Sequence, residues 1–91
     1  HAPKPPEVFL GEQNDSLLIL WEAKDEDVFK WVLYFQYDSK WEQRIFNKQE
    51  TETLIKLYNN KSPEPDKLKY IMVTAIDRTG NESVQKPVVI H

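Results

Sequence analysis

Apolar residues recur at every second position through most of this chain. From Leu68 to Ser83 the segment LKYIMVTAIDRTGNES sets Ile71, Val73 and Ala75 on one side, with Tyr70, Met72, Thr74 and Ile76 on the other. That two-residue period is the mark of an extended strand. Both sides are largely apolar, which predicts a strand in the middle of a sheet. Asp77, Arg78, Thr79, Gly80 and Asn81 then interrupt the run. Gly80 and Asn81 are the residue types that most readily take positive φ, so a tight turn and a returning strand are predicted.

The same reading organises the rest. Ala2 to Pro6 (APKPP) predicts a stiff, extended lead-in, because proline cannot donate to a ladder. Residues 1–6 are therefore set apart from a domain spanning 7–91. Glu7 to Leu10 predicts a short first strand, and the pattern leaves open whether Phe9, or Val8 with Leu10, points inward. Gly11 to Asp15 reads as a turn. Ser16 to Glu22 (SLLILWE) predicts a second strand with Leu17, Ile19 and Trp21 on one face and Leu18 and Leu20 on the other. Ala23 to Asp27 is a charged connection. Phe29 to Tyr37 (FKWVLYFQY) predicts a third strand. Its all-apolar face, Phe29, Trp31, Leu33, Phe35 and Tyr37, is placed in the core, and Lys30, Val32, Tyr34 and Gln36 on the other side.

Lys40 to Phe46 predicts a fourth strand, with Trp41 and Ile45 as its contacts. Thr51 to Leu57, rich in β-branched residues, predicts a fifth. Tyr58 to Lys67 (YNNKSPEPDK) reads as a long, exposed, mobile loop. Val84 to Ile90 is the last predicted strand, with Pro87 marking an edge. No stretch carries a sustained helical period. Short strands at roughly eight-to-twelve-residue spacing, separated by polar turns, predict an all-β, seven-stranded antiparallel β-sandwich.

Composition narrows the functional classes. A chain of 91 residues makes one domain. It buries roughly 60–65% of its unfolded surface, enough for a single core. There is no cysteine, so packing alone must hold it, and the redox compartment stays open. The net charge is −3 with both signs interspersed, which argues against a nucleic-acid surface. No run of eighteen apolar residues exists to insert as a membrane helix. The chain opens on His1, as a fragment of something longer would.

The chemistry-bearing residues are sparse. The histidines are His1 and His91, at the two ends, so neither a Ser-His nor a Cys-His nucleophile is expected, and no catalytic residue is proposed from the sequence. Gly11 and Gly80 are too few for a phosphate loop, and no cofactor is expected. Asp25, Glu26 and Asp27 cluster on one connection and read as a solvated turn; a hard-cation loop needs more oxygen ligands at defined spacing, so no metal is expected. Three Asn-x-Ser triplets begin at Asn14, Asn60 and Asn81, all in predicted turns or loops, and would accept glycans in a eukaryotic secreted protein. Tyr34, Trp41 and Tyr58 are the candidate ligand-binding residues, because exposed aromatic faces stack on sugars and fill protein-interface pockets.

Four segments in order resemble the fibronectin type III family, an immunoglobulin-like fold. Ser16 to Ala23 (SLLILWEA) resembles its second strand, with Trp21 at the tryptophan position. Trp31-Val32-Leu33-Tyr34-Phe35 looks like its third strand and implies Trp31, Leu33 and Phe35 inside. Leu54 and Leu57 resemble the apolar spacing of its fifth strand and the corner after it. Val73 to Ser83 (VTAIDRTGNES) is similar to its sixth strand and following turn. The family's corner tyrosine would fall at Lys69, whereas the tyrosine here is Tyr70, so either a bulge shifts the register or Leu68 and Tyr70 close the corner differently. The loop before it is longer than usual. Arg78 is followed by Thr79, so an Arg-Gly-Asp adhesion tripeptide is missing.

The wording TAIDRTGNES is similar to fibronectin type III modules appended to secreted bacterial carbohydrate-active enzymes. The resemblance implies a non-catalytic spacer and protein-interaction module of a larger secreted, cell-surface or periplasmic protein, a glycoside hydrolase among them. Its partners would be neighbouring domains of the same chain, with polysaccharide or protein as ligands, and the module itself would be monomeric. Two alternatives stand beside this: a carbohydrate-binding module using Tyr34 and Trp41, and a receptor-type ectodomain that binds a protein through its loops.

Overall fold

The computed structural model describes residues 1–59 and 65–91. Seven strands follow one another: β1 (Glu7–Gln13), β2 (Ser16–Glu22), β3 (Lys30–Gln36), β4 (Trp41–Asn47), β5 (Glu52–Lys56), β6 (Tyr70–Ile76) and β7 (Val88–Val89), and no helix occurs among the described residues. They form two open antiparallel sheets, β1-β2-β5 and β4-β3-β6-β7. The inner faces meet over one apolar core. Leu17, Ile19, Trp21 and Ile55 come from the first sheet, and Trp31, Leu33, Phe35, Ile71, Val73 and Ala75 from the second. The indoles of Trp21 and Trp31 meet edge to face, ring centres 6.3 Å apart. Phe46 lies against Trp21 at 5.3 Å.

Polar struts close the layers. The Tyr37 hydroxyl, just past β3, donates to the Lys56 carbonyl of β5 at 2.6 Å and so ties one sheet to the other. Trp31 Nε1 donates to the Lys48 carbonyl at 3.1 Å. β6 is flanked by β3 and β7 and is buried on both faces through most of its length. This is the central strand its two-sided apolar pattern predicts.

Several expectations need correction. β1 does not stop at Leu10 but continues to Gln13. Extended pairing with β2 persists until a two-residue turn at Asn14 and Asp15, with Asn14 at φ 58°. Asparagine tolerates that left-handed conformation better than most residues. Of the two alternatives for β1, Val8 packs on the core, while Phe9 and Leu10 are both exposed, so the inward face is that of Val8 without Leu10. Phe29 lies before β3 and is 39% exposed, so it is not a core residue. Its ring is flanked by the Lys30 ammonium at 5.6 Å and the Arg78 guanidinium at 5.1 Å.

On β4 the core contact is Phe46, not Trp41 or Ile45. Phe46 pairs with Trp31 and Ile45 with Val32, so the register turns Ile45 to the outer face. On β5 the buried residue is Ile55, which pairs with Leu17; Leu54 pairs with Leu18 and faces out, while Leu57 packs on the core.

The corner before β6 closes through Leu68, which is fully buried. Leu68 and Ile71 both enter the core although three positions apart, so the alternation breaks at Lys69. Lys69 N–H donates to the Gln36 carbonyl and its carbonyl accepts from Ile90 N–H, both at 2.8 Å. The last strand is also shorter than the predicted Val84 to Ile90. Glu82 bridges Ile76 and Val88 pairs with Ile71, so five residues, Ser83 to Pro87, lie opposite the four from Met72 to Ala75. The extra residue and the missing N–H of Pro87 interrupt the ladder. Ser83 fills the gap: its N–H donates to the Ala75 carbonyl at 2.8 Å and its Oγ accepts from Ala75 N–H at 2.9 Å.

Candidate functional site

The outer face of the four-stranded sheet collects the polar and aromatic residues that the core excludes. The register places Trp41, Gln43 and Ile45 of β4 on it, then Val32, Tyr34 and Gln36 of β3, and Tyr70, Met72 and Thr74 of β6. Gln36 is paired with Trp41 on one side and Tyr70 on the other. The two rings lean together across it, centres 6.1 Å apart and planes tilted by 40°. Trp41 remains 43% exposed. The result is a partly exposed aromatic ledge with Gln36 and Gln43 on the same face beside it.

Tyr34 shares this face but has a structural role. Its hydroxyl donates to Glu82 Oε2 at 2.6 Å, and the Thr74 hydroxyl donates to the same oxygen at 2.5 Å. Together they clasp the segment after β6 to the sheet. Burial raises the Tyr34 phenol above its usual 10.0, and the neighbouring Glu82 carboxylate adds to the rise. Tyr58 is not brought to the ledge. It bridges Lys67 at the end of β5 and lies beside Asp15, Ser16 and Lys56. The structure thus unites Trp41 with Tyr34 and separates Tyr58 from both. Tyr70, which the sequence places on one side of the predicted strand and at its corner but not among the binding candidates, supplies the second ring of the ledge. That Trp41 and Tyr70 both pair with Gln36 becomes visible only once the strands are paired.

Two motifs of the sequence resolve into turns. The Asp77 carboxylate is buried and satisfied within its own turn: Oδ1 accepts from the Thr79 N–H and hydroxyl at 3.0 Å each and from Asn81 N–H at 2.9 Å. Oδ2 accepts from Asn81 Nδ2 at 3.1 Å. These bonds, the Asn81 backbone donor foremost, hold the carboxyl below its usual range. Gly80 supplies the left-handed step at φ 89°. Asn81 Nδ2 also donates to Thr79 Oγ1 at 2.9 Å, so a glycan on that nitrogen would displace one of two bonds. Asn60 lies outside the described residues, as does part of the predicted loop around it. Asn14 is exposed.

Asp25 ties the lead-in to the β2–β3 connection. Its Oδ1 accepts from Asp27 N–H at 3.1 Å and its Oδ2 from Lys4 N–H at 3.2 Å. Those donors, Asp27 first, keep its carboxyl below the ordinary range. Pro3 is buried. Among the described residues no group of three or more His, Cys, Asp or Glu side chains is placed to hold a metal ion.

No family model matches the chain. No curated protein matches it either. Solved structures similar in fold include the following two. The pectate lyase PelI from Erwinia chrysanthemi, in complex with tetragalacturonic acid, is 13% identical over 92% of this chain at a TM-score of 0.68. The match occupies 27% of the lyase chain. A myokine structure is 18% identical at a TM-score of 0.65, covering 98% of this chain and 96% of that one.

Proposed function

We propose that this chain is a non-catalytic module of the fibronectin type III kind, a spacer and interaction unit of a larger extracellular or cell-surface protein such as a carbohydrate-active enzyme. The observation that carries the reading is the pectate lyase likeness: nearly all of this chain corresponds to about a quarter of that enzyme's. Seven antiparallel strands in two facing sheets also fit the architecture the family shares. Among the described residues the interior is filled by indoles and aliphatic chains, so whatever the module meets, it meets at its surface. In a screen of polysaccharide hydrolase and lyase substrates, the 91-residue chain alone should release no product. Turnover that copurifies with the folded chain would overturn the reading.

A second reading is favoured by the ledge. Tilted rings at Trp41 and Tyr70 with free amides at Gln36 and Gln43 suit the apolar face and ring hydroxyls of a sugar. Affinity electrophoresis through gels containing soluble polysaccharides tests it. Retardation that disappears in Trp41→Ala supports a carbohydrate-binding role; unretarded migration in every gel leaves the spacer role alone.

A further inference from the structure

β4 is an edge strand. It pairs with β3 on one side and with no other strand among the described residues. Its seven residues, WEQRIFN, contain neither proline nor glycine, so the strand offers a continuous row of backbone donors and acceptors to a partner. Trp41 and Ile45, 43% and 61% exposed, lie on the outer face with Gln43 between them. Glu42 and Arg44 lie on the opposite face, where Arg44 is held over the Phe35 ring at 5.5 Å.

The segment is complementary to itself. An antiparallel copy centred on Gln43 sets Glu42 opposite Arg44 twice, Trp41 opposite Ile45 twice, and Gln43 opposite Gln43. Residues directly opposed on one face have Cβ atoms about 4.5–5.5 Å apart, close enough for opposite charges to attract. The neighbouring registers that keep the same faces are penalised. A two-residue slip one way sets Glu42 against Glu42, and the other way sets Arg44 against Arg44. We infer that β4 is a self-association edge, through which two copies of this chain join antiparallel about a two-fold axis at Gln43 and merge their four-stranded sheets. The contact is isologous and closes on itself, giving a pair and not a fibre.

Charges on an edge strand can also serve to repel other strands. That alternative predicts a monomer whatever their signs. Self-pairing makes the signs decisive. A contact limited to one strand falls in the small, transient class below about 1,200 Å². The dilute chain is therefore monomeric, and the pair forms where copies are concentrated, as on neighbouring molecules at a surface.

Sedimentation equilibrium on the 91-residue chain, from low to high micromolar, tests this. The unaltered chain should show a concentration-dependent dimer. Arg44→Glu and Glu42→Arg each place like charges in both pairs and should weaken it by about tenfold. An equimolar mixture of the two variants restores both attractions and should recover the dimer, as should the double variant carrying both substitutions. Thermal unfolding confirms that each variant is folded. Should a variant unfold, amide exchange on the unaltered chain decides: slowing in β4 on concentration supports the pair, and unchanged exchange there overturns it. A monomer at every concentration, a dimer indifferent to the charges, or a mixture that stays apart would also overturn it.

Discussion

Trp21 and Trp31 are neighbours in the same core, yet their indole nitrogens fare differently. Trp31 Nε1 reaches the Lys48 carbonyl, whereas Trp21 Nε1 is buried with no hydrogen-bond partner among the described residues. A buried donor left unmet costs about 1–3 kcal/mol. Truncation of either residue to alanine should cost about 3–5 kcal/mol, because each large ring leaves a cavity. The phenylalanine variants should separate them. Trp21→Phe discards an unmet donor and Trp31→Phe discards a made bond, so urea unfolding should find the first milder by about 1 kcal/mol. Asp77 decides a different property. Its folded-state pKa lies below the ordinary 3.8, so its stabilisation is complete above that value and is lost as pH falls through the folded-state value. Asp77→Ala should lower the melting temperature at neutral pH and flatten its fall below about pH 3.8; an unchanged acid limb would reject this account of the turn.

At the scale of elements, β5 shows how adjacent apolar residues conceal a register. In Thr53-Leu54-Ile55-Lys56 either Leu54 or Ile55 could face the core, and alternation cannot choose between them. Pairing with β2 decides, setting Ile55 beside the inward Leu17. Ile55 is 2% exposed and Leu54 is 47%. Ile55→Ala should therefore cost about 2–5 kcal/mol and Leu54→Ala about 0.5 kcal/mol or less, read from denaturant midpoints at constant slope. Equal losses would mean that the register is shifted by one. The same ambiguity misplaces Ile45 for Phe46 on β4. By contrast, β2 is legible in its bounds, Ser16–Glu22, and in the division of its faces, although only the packing shows that Leu17, Ile19 and Trp21, and not Leu18 and Leu20, form the buried one. β6 is equally legible because an apolar run of its length has one place in a small sheet protein, the middle.

The whole molecule adds what no strand contains. The described residues extend 44 by 24 by 20 Å, with the aromatic ledge on one broad face and the β4 edge beside it. Trp41 belongs to both, so sugar binding and pairing of copies would compete for one indole, and polysaccharide that retards the chain should also dissociate its dimer. The predicted binding trio shows how composition differs from placement. Trp41 gains Tyr70 as a neighbour, Tyr34 is occupied by Glu82, and Tyr58 ends in an isolated bridge to Lys67 beyond β5. Nothing in the residue types distinguishes these three fates.

By itself the sequence determined the all-β class, the number and order of the strands, and most of the core on β3; on β2 and β6 it separated two apolar faces without choosing the inner one. Period-two alternation and turn residues are local signals that need no partner to be read. Tertiary structure decided which of two adjacent apolar residues faces inward on β4 and β5, where β1 ends, and how the chain turns at Lys69. It also decided which aromatics meet. Each of these depends on hydrogen-bonded register between segments far apart in the chain, and a one-residue change in register reverses every side chain on a strand.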